Sequence, residues 1–412
     1  MQLDRAIAPW PVPPFSILHS PFSVPQLAQK PPCGPPSRSM PLRVLIVPDK
    51  FKGTLTAAAA AQAIAEGWQR VRPDDTLTLL PISDGGDGFG SVLAERLGAE
   101  RRTVETVDAA HRPIQAHWWY DSHSARALIE SAAIVGLAQL PPGRFHPFEL
   151  DTTGLGAALK AAQHAGACEV LMGIGGSATN DAGFGMARAL GWKFFDEAGH
   201  PIERWTHLDQ LHRWAPPQSP YPLPITVAVD VDNPLLGARG CSRVYGPQKG
   251  LRPQDLPIAD AALDRLAEFA ANTHGTRFDQ LPGAGAAGGL GFGLRLFLGA
   301  TLESGFEIVA RHTGLIAEID TADLIVTGEG CIDSQTFMGK GTGQIALLCR
   351  QRSKPCWGLA GVLEAPSAAE QSATLFQRLG AIVPTLAPAT EAKAEAAHWL
   401  KILVEKIAAE PL

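Results

Sequence analysis

The stretch that decides the fold runs from Glu169 to Gly185 and reads E-V-L-M-G-I-G-G-S-A-T-N-D-A-G-F-G. Its first four residues are short and apolar, a pattern that predicts a buried strand. Gly173, Gly175 and Gly176 then allow a tight turn and a close approach of the backbone to a ligand. A helix is predicted to follow, so the amide groups of the turn and the helix dipole favour an anion there.

Polar side chains complete the same turn. Ser177, Thr179 and Asn180 supply donors and acceptors, and Asp181 adds a fixed negative charge. A carboxylate repels a bare phosphate, but it is useful beside a phosphate that carries Mg²⁺ or beside a hydroxyl that is about to lose its proton. The loop therefore predicts phosphate chemistry assisted by a metal or a general base.

Composition limits the classes of function. The chain has 412 residues, enough for two or three domains, and its net charge of −6 comes without any basic block. The charge therefore argues against nucleic acid and anionic membranes as partners, and no apolar run is long enough for a membrane helix. The six cysteines form no C-x-x-C pair, which favours reduced thiols and a cytoplasmic location.

Residues 1–40 differ from the rest of the chain. They contain ten of the 34 prolines, at intervals that forbid a continuous helix or a central strand. We interpret this segment as a disordered leader, or as sequence upstream of a true start at Met40, and exclude it from the fold.

Strand–loop–helix alternation occurs near both ends of the remaining chain. The fold class predicted is α/β with two α/β domains. Residues 41–90 and 285–412 would form a Rossmann-like or flavodoxin-like domain with a parallel sheet. Residues 91–284 would form an inserted second domain with a mixed sheet, and the active site would lie in the cleft between the two domains. Buried strands are predicted at 42–47, 76–82, 225–231 and 323–327.

Charged residues follow several predicted strands. Lys50 and Lys52 precede a helix, where its dipole disfavours cations, so they indicate either an anion between them or two solvated lysines. Asp84 and Asp87, separated by two glycines, indicate a site for Mg²⁺ or for a hydroxyl, or else a helix cap with an acid in the first turn. Further clusters occur at 230–233 and 329–333, and all of these strand ends would meet at one sheet edge.

A second glycine-rich segment covers 282–293. Its high glycine and low serine content favours a loop against a ligand over a flexible hinge, although the hinge stays open. The spacing Gly283-x-Gly285-x-x-Gly288 matches a dinucleotide motif, but a poor strand precedes it.

A nicotinamide-dependent oxidoreductase is one alternative. Gly173-x-Gly175-x-x-Ala178 follows a strand, and Asp196 stands near the position of a ribose-binding acid. Against it, Asp181 enters the turn where a metal-free pyrophosphate would lie. A Walker A loop, zinc-type histidine spacing and a G-x-S-x-G motif are all absent from the sequence.

Taken together, the motifs resemble those of the bacterial glycerate kinases of the glycerate 2-kinase type, over residues 42–408. The resemblance is carried by seven blocks in order: P-D-K-F-K-G at 48–53, S-D-G-G-D-G at 83–88, G-I-G-G-S-A-T-N-D-A-G at 173–183, D-V-D-N-P-L-L-G at 230–237, Y-G-P-Q-K-G at 245–250, P-G-A-G-A-A-G-G-L-G at 282–291, and T-G-E-G-C-I-D-S-Q-T at 327–336 with Gly339-Lys340. It implies ATP-dependent phosphorylation of D-glycerate with Mg²⁺. Lys50 stands where the family usually has Ser, a departure that bears on substrate preference.

Under this resemblance the site residues have predicted roles. Asp181, as general base or metal ligand, Lys52 and Asp84 are the catalytic candidates. The residues expected to bind substrate or nucleotide are Asp49, Gly175, Gly176, Ser177, Thr179, Asn180, Lys249, Gly285, Gly288, Gly289 and Lys340. The metal candidates are Asp87, Asp232, Glu329 and Asp333. The hypothesis requires Asp84, Asp181 and Glu329 to share one cavity.

Several points stay open at this stage. The residues do not decide which acid is the base, or whether the 2- or the 3-hydroxyl is phosphorylated, although 2-phosphoglycerate is favoured. A homodimer is left open as an assembly. A sugar-acid sensor without catalytic activity is a second alternative, although the acids expected for catalysis are intact.

Overall fold

Short apolar runs alternate with amphipathic segments, and they fold into strands and helices in a computed structural model that describes residues 40–83, 85–86, 88–334, 336, 341–364 and 375–410. The strands are β1 (Arg43–Pro48), β2 (Thr76–Leu79), β3 (Glu100–Val107), β4 (Pro113–Asp121), β5 (Arg126–Glu130), β6 (Glu169–Gly173), β7 (Lys193–Phe195), β8 (Arg213–Ala215), β9 (Ile225–Ala228), β10 (Thr301–Glu303), β11 (Leu324–Ile332), β12 (Cys356–Leu363) and β13 (Arg378–Val383).

The helices connect these strands. They are α1 (Ala57–Val71), α2 (Phe89–Leu97), α3 (Ala132–Val135), α4 (Leu155–His164), α5 (Phe184–Ala189), α6 (Cys241–Val244), α7 (Gly246–Lys249), α8 (Leu256–His274), α9 (Ala286–Leu298), α10 (Gly305–Thr313), α11 (Leu315–Thr321), α12 (Gly341–Gln351), α13 (Ala389–Ala394) and α14 (Ala396–Ala408). Short 3₁₀ turns cover Leu137–Gln139, Pro147–Glu149, Trp205–Gln210, Pro253–Asp255 and Phe278–Gln280.

The first sheet is parallel, with the strand order β13-β12-β11-β1-β2 in the described residues. Its strands come from the two ends of the chain, as the alternation predicts. Helices α1 and α14 cover one face, where Trp68 packs against Trp357 with ring centroids 5.4 Å apart. The side-chain oxygen of Thr56 accepts a hydrogen bond from the amide of Ala59 and caps α1.

The second sheet is mixed, with the order β10-β9-β6-β5-β4-β3. Strands β10, β9, β6 and β5 are parallel, whereas β4 and β3 join antiparallel. Strands β7 and β8 form a separate antiparallel pair. The predicted fold class, a parallel sheet combined with a mixed sheet, is confirmed.

One predicted strand extends further than expected. β11 does not end at Thr327 but continues to Ile332, because Glu329 and Cys331 keep their register with Ala360 and Val362 of β12. Glu329 is therefore placed by a strand and not by the loop that follows it.

Helices α2 and α10 lie between the two sheets. Their buried residues, including Leu93 and Phe306, share one hydrophobic cluster with Leu45 of β1 and Trp119 of β4. This shared cluster fixes the position of one sheet relative to the other, and with it the geometry of the space between the strand ends.

The two-domain division stays a proposal, with one change. Because β10 pairs with β9, residues 285–303 belong with the second sheet, and we place the return to the first sheet after Glu303. Residues 41–412 form one compact unit, and the predicted leader, residues 1–40, lies outside the described part of the chain except for Met40. Among the described residues, no helix combines the length and the apolar character needed to cross a membrane.

Candidate active site

A cleft of about 2090 Å³ opens where strands from both sheets end. Its lining contains residues from each of the five polar clusters noted in the sequence: Asp49, Lys50 and Lys52; Ser83, Gly85, Gly86 and Gly88; Gly175, Gly176 and Ser177; Asp230; and Glu329 and Asp333. Segments that are distant in sequence thus meet at one site, because parallel strands bring their carboxyl ends to the same edge of a sheet.

Glycines let these segments touch. The amide of Gly175 donates to the carbonyl of Gly85 over 3.3 Å, and a Cβ atom on Gly175 would lie 2.5 Å from the Cα of Gly86. Only glycine permits this approach, so the G-I-G-G-S turn and the S-D-G-G-D-G segment meet through their backbones.

Lys249 is the buried cation of the cleft. It lies at the end of α7 with 7% of its surface exposed, and its Nζ donates to Ser177 Oγ at 3.0 Å and to the Thr179 carbonyl at 2.7 Å. Burial lowers the pKa of its ammonium group to about 8. Among the described residues, no carboxylate lies within 4.0 Å of this nitrogen, and the carboxylate of Asp181 acts on it only at longer range, so a bound anion in the cleft would supply a direct counter-charge.

Carboxylates at the strand ends of the first sheet also line the cleft. Asp49 is buried at the end of β1 and its Oδ1 accepts from the amide of Lys50 at 2.6 Å. Glu329 Oε1 accepts from Thr336 Oγ1 at 2.9 Å, and Asp333 Oδ1 accepts from the amide of Thr336 at 3.2 Å. These three acids and the exposed Lys52 share the cleft with Lys249.

Asp181 is placed differently from the prediction. It is fully buried and absent from the cleft lining. Its Oδ2 accepts from the amide and hydroxyl of Thr152 at 2.9 and 2.8 Å and from the amide of Gly185 at 2.9 Å, and its Oδ1 accepts from Gly183 N at 3.3 Å. Burial and the neighbouring Asp151 raise its pKa to about 6. The condition that Asp181 and Glu329 share one cavity is therefore not met. Glu329 lines the cleft, whereas both carboxylate oxygens of Asp181 accept hydrogen bonds from buried groups of the chain.

The second glycine-rich segment reaches the cleft through other residues than the predicted glycines. Gly285, Gly288 and Gly289 do not line the cleft, to which this segment contributes Ala286 and Ala287. A Cβ on Gly288 would lie 2.0 Å from the Thr179 carbonyl, and one on Gly285 would lie 2.2 Å from that of Pro234. These glycines allow close packing of backbone on backbone, which has the same composition signature as contact with phosphate.

Three more predicted residues lie outside the cleft lining. Thr179 and Asn180 are fully buried, and Asn180 Nδ2 donates to Ser242 Oγ at 3.0 Å. Asp232 is exposed and pairs with Arg239 at 2.6 Å, an arrangement typical of a solvated surface ion pair. Thr179 acts on the cleft indirectly, through its carbonyl bond to Lys249.

Asp84, Asp87 and Lys340 lie outside the described residues. The described neighbours of the two acids do line the cleft, and they are Ser83, Gly85, Gly86 and Gly88.

One wall of the cleft was not identified from the sequence. It is formed by part of the segment 137–150, including Arg144 and His146. His146 Nε2 lies 3.1 Å from Asp255 Oδ2, whereas the exposed Arg144 has no carboxylate within 4.0 Å among the described residues. The only signal for this wall is the Pro141-Pro142-Gly143 turn, which predicts a loop but not the site that the loop faces.

With this geometry established, comparison with known proteins identifies the family. The model of the glycerate kinase family matches residues 44–410. The chain belongs to the glycerate kinase family. A glycerate kinase from Bacillus subtilis is 35% identical over 89% of this chain and 97% of its own length, and a glycerate 2-kinase from Escherichia coli is 37% identical over 78% and 86%.

A solved structure has the same fold. The crystal structure of a protein assigned as glycerate kinase 2 from Salmonella typhimurium LT2 matches with a TM-score of 0.76 and 34% identity, over 90% of this chain and 98% of that one. The resemblance inferred from seven motif blocks is therefore confirmed, and the protein is a kinase.

Family membership decides against the two alternatives. The structure agrees, because Asp196, the acid that suggested nicotinamide binding, pairs with His200 next to β7 and does not line the cleft.

Proposed function

We propose that this chain is an ATP- and Mg²⁺-dependent kinase that phosphorylates D-glycerate in the cleft between its sheets. The observation that carries the proposal is Lys249, a buried ammonium group in the cleft whose described contacts are two oxygen acceptors and no carboxylate. A charge of this kind is costly without a counter-ion. The phosphates of ATP or the carboxylate of glycerate would supply one.

The donors present fit Mg²⁺. Asp49, Glu329 and Asp333 place carboxylate oxygens on the same cleft, and oxygen is the ligand type that Mg²⁺ prefers. Asp84 and Asp87 remain candidates on sequence grounds alone. When bound, the ion would offset negative charge on the phosphates.

The chain's own residues would act mainly by position and charge. Lys249 and Lys52 would orient and neutralise the phosphoryl donor or the substrate carboxylate. The backbone of Gly175–Ser177 would approach the ligand closely. An acid of the cleft would accept the proton of the attacking glycerate hydroxyl as the γ-phosphoryl group moves from ATP to that oxygen, leaving ADP.

Asp181 enters this proposal as a positioning residue. Its four hydrogen bonds fix the loop that carries Ser177 and Thr179, the two acceptors of Lys249. It thus acts on the substrate through other groups and not as the general base.

The 2-hydroxyl is the proposed acceptor. Support comes from the Escherichia coli relative, which is named a glycerate 2-kinase. The test is a coupled assay of ADP release with D-glycerate and Mg-ATP, with the product identified by phosphorus NMR. We expect 2-phosphoglycerate, and L-glycerate serves as the control substrate. Release of 3-phosphoglycerate would overturn the regiochemistry, and release of no ADP would overturn the activity.

A further inference from the structure

A second pocket, of about 510 Å³, lies apart from the cleft and shares none of its lining residues. It is formed where the turn after β3, the end of α5 and strand β7 meet. Trp192, Phe195 and Ile202 give it an apolar floor, while His111, Arg188 and Lys193 supply basic side chains. Nothing in the proposed kinase mechanism uses these residues.

The charges of this pocket have one sign. No aspartate or glutamate is among its lining residues in the described chain. Arg188 and Lys193 have no carboxylate within 4.0 Å among those residues, and Lys193 is exposed. Asp151 already pairs with His111 from behind the pocket, so Arg188 and Lys193 are the two cations for which a bound anion would supply a counter-charge.

Arg188 is held in place for such a ligand. Its Nη1 donates to the Glu203 carbonyl at 2.7 Å, and its guanidinium lies 5.5 Å from the ring centroid of the buried Phe184. A guanidinium fixed in this way keeps further N–H donors for a planar anion at little entropic cost.

His111 is also oriented by a contact behind it. Its Nε2 lies 3.1 Å from Oδ2 of the buried Asp151. This contact raises the pKa of the imidazole and favours its charged form at the pocket.

We propose that this pocket binds a small organic anion that combines a phosphate or carboxylate group with an apolar body. The anionic group would lie between Arg188, Lys193 and His111. The apolar body would rest on Trp192 and its neighbours.

The pocket is connected to the kinase site by three consecutive residues. Asp151 contacts His111, Thr152 holds Asp181, and Thr153 lines the pocket. Helix α5 begins beside Asp181 and carries Arg188 near its other end. The anion site is thus built on the segment that also fixes the loop bearing Ser177 and Thr179.

The test is a titration of the full chain with phenyl phosphate and, in a parallel arm, with benzoate, followed by tryptophan fluorescence. Trp192 lines this pocket and no tryptophan lines the cleft, so the signal distinguishes the two sites. We expect a saturable change that disappears in Trp192→Phe. The arm that binds more tightly identifies the anionic group.

Variants test whether Arg188 and Lys193 bind the anionic group of the probe. Arg188→Ala combined with Lys193→Ala should raise the Kd at least about tenfold. Lys193→Glu alone, at an exposed position, should also weaken binding. Arg204→Ala, which removes an exposed cation that does not line the pocket, should leave the Kd unchanged. Absence of saturable binding of both probes, or equal affinity in wild type and the double variant, would overturn the proposal.

Discussion

Two segments of this molecule have nearly the same glycine content and different functions. Residues 174–177 line the cleft, whereas Gly288, Gly289 and Gly293 of the second segment pack on the chain that continues from the first segment. Gly288 lies against the carbonyl of Thr179 and Gly293 against that of Ala182. Glycine clusters therefore report that something approaches the backbone closely, but not whether that partner is a ligand or another segment.

The largest expected effect tests the packing segment. Gly288 and Gly299 have similar left-handed φ angles of 71° and 66°, but a Cβ would be 2.0 Å from a carbonyl oxygen at Gly288 and has nothing within 4 Å at Gly299. Gly288→Ala should lower the free energy of unfolding by more than about 3 kcal/mol, because a fixed backbone atom must move. Gly299→Ala should cost about 1 kcal/mol, from backbone strain alone. Equilibrium urea unfolding measures the loss of stability in both variants. Equal losses would mean that the chain at Gly288 moves away from Thr179 at little cost, which would contradict the close packing of the two segments.

The cleft-facing segment is tested through Lys249. Lys249→Met should lower kcat/KM about a hundredfold, because it removes the buried cation that we propose for anion binding. The free energy of unfolding should change by no more than about 1 kcal/mol, since two hydrogen bonds and the cost of burying a charge are lost together. Steady-state kinetics and urea unfolding give the two values. Lys160→Met, which removes an exposed lysine bonded to the Ala189 carbonyl, is the matched control and should keep full activity.

Asp181 lies where the two glycine-rich segments meet, since the amide of the next residue, Ala182, donates to the Gly288 carbonyl at 3.1 Å. Its pKa is raised from 3.8 to about 6, so between these pH values the folded state binds more protons than the unfolded state. The stabilisation by protonated Asp181 is complete below pH 3.8 and is lost as the pH rises through 6. The stability of wild type relative to Asp181→Asn should therefore fall by about 2–3 kcal/mol between pH 4 and 7.

This stability difference is measured by urea unfolding at several pH values. The same comparison for Asp232→Asn is the control and should stay flat, because that acid is exposed. A flat profile for Asp181 as well would show that its carboxylate is solvated and would return it to the list of possible bases.

The smallest effect is expected at Asp232. Its pair with Arg239 has side chains 73% and 65% exposed, so Asp232→Asn should change the free energy of unfolding by no more than about 0.5 kcal/mol. We expect kcat/KM to stay within about twofold of the wild type. A titration of activity against Mg²⁺ checks this. If Asp232→Asn needed a much higher Mg²⁺ concentration than the wild type for half-maximal activity, Asp232 would again be a candidate metal ligand.

The sequence was informative where a local pattern has one structural meaning. Apolar runs located β1, β9 and β11, and strand–helix alternation at both chain ends indicated their common parallel sheet. The motif blocks indicated that Asp49, Lys249 and Glu329 belong to one site, and all three line the cleft.

The sequence was less informative where one residue type has two uses. A loop carboxylate such as Asp181 accepts either from amide groups below the loop or from a ligand above it, and the local sequence is the same in both cases. Arg144 is the opposite case, a residue that lines the cleft but was not predicted to, because no motif marks a lone cation after a turn. Glu329 was assigned to a loop, since pairing with β12 depends on residues more than 25 positions away.

By itself, the sequence determined the α/β class, the family and the set of segments that meet at the site. These properties depend on local periodicity and on ordered motifs, which the chain carries whether or not it is folded. Only the tertiary structure decided which glycines face the cleft and that Asp181 lies beneath it. The side of a loop that is solvated depends on what packs against the other side, and that partner comes from a distant part of the chain.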